Sequence, residues 1–164
     1  MTVRPPVAEW RWIESFARHF AVNGVTPGME CVVLSETATR ADLVETAILA
    51  LESLGAKPFE VVMRTPASPG PVAIRSTGTS LAINQNAAAI NALSNVPLVI
   101  DCTVEGMLHA KELGAILSSG TSILMVSNEH PEVYERMVHD PVMAERVAAA
   151  HDRSEEHTSE LQSH

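Results

Sequence analysis

Three stretches of the chain are apolar without alternation: Glu30–Ser35 (ECVVLS), Pro97–Ile100 (PLVI) and Ile123–Val126 (ILMV). Short unbroken apolar runs bounded by turn residues are how strands covered on both faces read. A further short strand is expected over Phe59–Met63. Between these runs the period changes to that of a helix. Leu43, Val44, Ala47, Ile48, Leu51 and Leu54 form one stripe, closed by Gly55, and Thr37 or Thr39 is placed to cap it. Ile13, Phe16, Ala17 and Phe20 form another in Ala8–Val22, with Trp10 and Trp12 at its start and Asn23-Gly24 as its stop. Asn84–Leu93 is Ala-rich and helical in period, with Ile83, Ala87, Ile90 and Leu93 on one side. An amphipathic helix is expected between Asp101 and Gly120, and two short ones over Pro131–Met137 and Val142–His151, divided by Asp140-Pro141.

A helix lying between two covered strands makes a βαβ unit with parallel strands. The pattern therefore predicts a three-layer α/β fold, a mostly parallel four-stranded sheet with helices on both faces, Rossmann- or flavodoxin-like, in strand order 2-1-3-4. Ligands of such sheets collect beyond the carboxyl ends of the strands. Asp101, Cys102, Thr103 and His109 fall on that edge, as does the Pro-, Gly- and Ser-rich loop Arg64–Thr79.

Composition narrows the function classes. With 46% apolar and 19% charged residues, 164 residues suffice for about one soluble domain. A net charge of -9, with only 11 Lys and Arg, excludes a phosphate-reading surface and so a nucleic-acid binder. No apolar run is long enough to span a membrane, and no leader peptide is evident. Cys31 and Cys102, at or beside expected buried strands, fit a reduced cytoplasmic setting.

Arg153–His164 (RSEEHTSELQSH) departs abruptly from this pattern. Its bland reading is a solvated terminal tail. Its reverse translation matches a common adapter of short-read sequencing libraries, which makes residues 1–152 the expected native part, an N-terminal α/β domain of a longer protein.

Chemical motifs are sparse. The turn after the first strand, Ser35-Glu36-Thr37-Ala38-Thr39, has no glycine for a pyrophosphate, and no P-loop occurs. His109, His130, His139 and His151 form no HExxH and no pair at helical spacing, so no metal site is expected within this chain. Cys102 lacks an evident catalytic partner and reads as a small buried apolar residue, and Asp101 as a turn cap. His109 is expected at the start of a helix just past a strand end, where the helix dipole favours the neutral base. From spacing alone, a surface or capping histidine is the more economical reading.

The run LVIDCTVEGMLHAKELGAILSSGTSILMVSNEHPEVYERMVHD resembles the N-terminal half of the 2,5-dihydroxypyridine 5,6-dioxygenases and, more distantly, the M29 aminopeptidases. The likeness extends over nearly all of 26–150 and is strongest in IDCT, Leu108-His109, SSGTSILMV and HPEVYERM. The resemblance implies a cytoplasmic non-haem Fe(II) enzyme that opens a dihydroxypyridine ring with O₂ in nicotinate breakdown, homo-oligomeric when full length. Its iron would be held by two histidines and a carboxylate in the C-terminal half, leaving none bound by this chain. The family also carries an acid/base histidine thirteen positions inclusive before its Gly-Thr turn. Counting back from Thr121 reaches His109, although the loop after Asp101 is slightly longer than in the family. With that resemblance His109 becomes the candidate catalytic residue. An M29-like aminopeptidase fragment and a non-catalytic small-ligand module on the same strand edge stand as alternatives.

Overall fold

The computed structural model describes residues 7–67 and 78–137. Four strands, β1 (Glu30–Glu36), β2 (Lys57–Met63), β3 (Leu98–Asp101) and β4 (Ser122–Met125), form one sheet in the order β2-β1-β3-β4. All three pairings are parallel. Helices α1 (Trp10–Val22), α2 (Ala41–Ser53), α3 (Ala87–Leu93), α4 (Leu113–Ser118) and α5 (Glu132–Arg136) complete the described elements. This is the α/β fold and strand order that the apolar runs predict.

The alternation of β1 divides the core in two. Cys31 and Val33 face α1 and α2, where they meet Ile13, Phe16, Phe20, Leu43, Val44, Ala47 and Leu51. Val32 and Leu34 face α3 and α4, where they meet Ala89, Leu93, Met107 and Ile116. Connections that run from β1 to β2 pass over one face and those that run on to β3 and β4 pass over the other, as right-handed crossovers require. The direction of winding thus reverses between β1 and β3. In sheets of this kind the reversal opens a crevice at the carboxyl ends of the two strands.

Several boundaries differ from expectation for local reasons. α2 is not capped by Thr37 or Thr39: Arg40 stands at its N-cap, and the Arg40 amide donates to Asn128 Oδ1 at 2.8 Å. Thr39 Oγ1 is engaged elsewhere, accepting from the Glu36 amide at 2.8 Å and donating to the Cys102 carbonyl at 3.0 Å. α3 starts at Ala87 rather than Asn84, because Gln85 takes a positive φ of 56° and Asn86 caps the helix by accepting from the Ala89 amide at 3.0 Å. β4 is less covered than its apolar sequence implies; like β2 it is an edge strand of the described sheet, and Met125 is 38% exposed. The expected helix over Val142–His151, His139, His151, the tail and most of the loop after Arg64 lie outside the described residues.

Candidate functional site

The carboxyl ends of β1 and β3 each close on a buried acid, Glu36 and Asp101. Asp101 is fully buried and organises the turn that leaves β3. Its Oδ1 accepts from the Thr103 amide at 3.0 Å and the Thr103 hydroxyl at 2.6 Å, and its Oδ2 accepts from the Met107 amide at 2.7 Å. Its carbonyl accepts from the Val126 and Ser127 amides. Burial raises the Asp101 pKa, the bonds from Thr103 and Met107 oppose that shift, and the charge of Glu36 adds to it. With both oxygens satisfied, Asp101 is the turn cap that its position suggests.

Glu36 reaches from the end of β1 to two segments. Its Oε1 accepts from the Ser80 hydroxyl at 3.0 Å and from the Val104 amide at 3.3 Å, while its Oε2 is buried without a hydrogen-bond partner. Ser80 belongs to a stretch that pairs edge to edge with the loop after β3. The Gly78 amide donates to the Glu105 carbonyl at 2.6 Å, the Ser80 amide to the Gly106 carbonyl at 2.8 Å, and the His109 amide to the Gly78 carbonyl. Neither Glu36 nor Ser80 stands out in the sequence as a site residue. The one available signal is an acid closing an otherwise apolar strand on the ligand edge.

His109 is exposed, on this ladder, at the carboxyl edge of the sheet. It is not at a helix start. Asp101 draws residues 103–107 into a tight turn, the next residues continue as turns, and α4 begins only at Leu113 with six residues. The dipole argument for a neutral His109 therefore falls away, and its placement rests on the pairing with Gly78. Cys102 is fully buried, and its thiol is pushed well above its ordinary value by burial, then by Asp101 and Glu60. Such a thiol is a packing group, not a nucleophile.

The carboxyl edge thus combines two buried carboxylates, Glu36 and Asp101, with the exposed imidazole of His109. The family model for NicX, 2,5-dihydroxypyridine 5,6-dioxygenase, matches residues 11–162. The chain belongs to the 2,5-dihydroxypyridine 5,6-dioxygenase family. Among solved structures it is similar to the 2,5-dihydroxypyridine dioxygenase from Pseudomonas putida KT2440, with 29% sequence identity and a TM-score of 0.75. That alignment covers 88% of this chain and 42% of the Pseudomonas chain, so this dioxygenase-family chain spans less than half the length of its relative. No curated protein matches the chain.

The donor set of a dioxygenase metal does not fit the described residues of this family member. No group of three or more His, Cys, Asp or Glu side chains among them is arranged to hold a metal ion. Of the two acids nearest the site, Asp101 has both oxygens engaged by three donors, and Glu36 has one oxygen bound to Ser80 and Val104 and its Oε2 without a hydrogen-bond partner. Among the described residues no helix is long and apolar enough to cross a membrane.

Proposed function

We propose that this chain is the N-terminal part of a non-haem Fe(II) dioxygenase that opens 2,5-dihydroxypyridine or a similar hydroxylated heteroaromatic ring with O₂. The observation that carries the reading is the family match over 11–162, on a chain that aligns with 42% of a dioxygenase relative. On this reading the iron ligands lie outside the described residues, and the chain alone does not turn over substrate.

The role left to this chain is proton transfer. His109 takes the proton of a ring hydroxyl as substrate binds and returns it later, which makes the ring more electron-rich and so more reactive toward an oxidant. Three features of the site support that role: exposure of the imidazole, its place in the loop at the carboxyl edge of the sheet, and a backbone amide bonded to the Gly78 carbonyl. The same edge would serve a cytoplasmic enzyme of nicotinate-type catabolism, with the aromatic substrate and O₂ as its partners.

The test has two arms. The chain as it stands, supplied with Fe(II) and 2,5-dihydroxypyridine in air, should show no loss of substrate absorbance above a protein-free blank. The chain completed to the family's length should consume substrate and O₂ in equal amounts. Turnover by the chain alone, or a completed protein that binds iron yet consumes no O₂, would contradict the proposal.

A further inference from the structure

Gly78 has a positive φ of 72° and lies directly against the loop that carries His109. A Cβ built on it would sit 3.0 Å from the Leu108 Cβ and 3.2 Å from the His109 Cδ2, with the His109 Nε2 at 3.7 Å. Carbon atoms in contact prefer about 3.5–4.0 Å, so a methyl group here overlaps both neighbours. The Leu108 Cβ is fixed to its backbone and cannot swing aside; the imidazole is the part free to move. At the same residue, the Gly78 carbonyl accepts from the His109 amide, and two residues on the Ser80 hydroxyl donates to buried Glu36 at the end of β1. The side of the Gly78 Cα where a side chain would stand thus faces the Cδ2–Nε2 edge of the imidazole, on a segment tied to the end of β1.

We propose that Gly78 is a positioning residue for His109. Its missing side chain lets the ring rest against the backbone in one orientation, and its carbonyl sets the height of His109 above the sheet. The Ser80–Glu36 bond holds the Gly78 segment in register with the loop after β3. The inference deepens the proposed acid/base role of His109 and rests on it for its functional meaning, but the packing itself is testable without catalysis.

The test uses the isotopically labelled full chain and reads the His109 ring by NMR. In the wild-type chain a nuclear Overhauser contact is expected between a Gly78 Hα and the His109 Hδ2. In Gly78→Ala the His109 ring signals should shift or broaden, while those of His19 and His130 stay in place. Those two histidines lie near Tyr134 and Trp12, close to the α1–α5 contact, so they report on the fold without sharing the loop. Absence of the contact in the wild-type chain, which needs no variant to fold, would overturn the proposal. So would unchanged His109 signals in a folded Gly78→Ala. Either result is independent of turnover by His109→Ala in the completed enzyme, which tests the acid/base reading on its own.

Discussion

The two sides of β1 and the end of β1 obey different rules. Where the sheet meets α1, α2 and α5, contact is apolar and aromatic: Phe16 packs on Phe20 with ring centroids 5.7 Å apart and on Tyr134 at 4.6 Å. Beyond the last residues of β1 and β3 the same burial is spent on carboxylates, hydroxyls and amides, with Glu36, Asp101, Thr103 and Ser80 each at most 4% exposed. The apolar side stabilises through area removed from water, without direction. The polar edge gains less net energy per contact but fixes direction, because each bond specifies where one loop atom must sit. The first holds the layers together and the second fixes the loops at the carboxyl edge.

The contrast can be broken most severely on the apolar side. Phe16→Ala removes a fully buried ring at the junction of α1, α5 and the sheet, and should cost about 3–5 kcal/mol in denaturant unfolding, lowering the midpoint for the whole chain. A loss under about 1 kcal/mol would mean that α1 is not part of the core. On the polar edge, Asp101→Ala leaves the Thr103 and Met107 amides buried without their acceptor, at about 1–3 kcal/mol for each orphaned donor. Its distinguishing mark should be local. Amide exchange of residues 103–109 should accelerate beyond that of β1, whereas the Phe16 variant should raise both together.

Tyr134 sharpens the comparison by pH. Burial holds its phenol up at about 12 in the fold, against an ordinary value of 10.0. The folded chain binds that proton more tightly than the unfolded chain, so the contribution is intact below about pH 10 and is lost as pH rises toward 12. As the chain has one tyrosine, its absorbance titration is unambiguous. The phenol should ionise with a midpoint well above 10, and a midpoint near 10 in an intact fold would contradict the packing against Phe16. The smallest effect is expected of Thr39→Ala, about 1 kcal/mol, since its hydroxyl ties the Glu36 amide to the Cys102 carbonyl at the carboxyl edge of the sheet.

Legibility in the sequence divides along the same line. Strand order and the two-sided core can be read because parallel strands announce themselves as unbroken apolar runs and helices as stripes. Those signals are local. The polar edge is not readable in that way: the Ser80–Glu36 bond joins residues 44 positions apart, and nothing in either neighbourhood points to the other. The sequence puts His109 on the right edge but on the wrong local structure, since helical period cannot reveal that Asp101 folds residues 103–107 into a turn. Residue type makes Thr39 a helix cap, while a longer-range acceptor, the Cys102 carbonyl, claims its hydroxyl. In each case a contact distant in sequence prevails over a local preference.

The measurement that bears most directly on the account is His109→Ala in the completed enzyme, with turnover and melting temperature taken on the same preparation. His109 is exposed and belongs to no metal-binding group among the described residues. On the proposed acid/base role the substitution should lower kcat by about 10²-fold or more while leaving the melting temperature and metal content nearly unchanged. An unaltered kcat with a lowered melting temperature would show that His109 only ties its loop to Gly78, and that the proton is handled elsewhere.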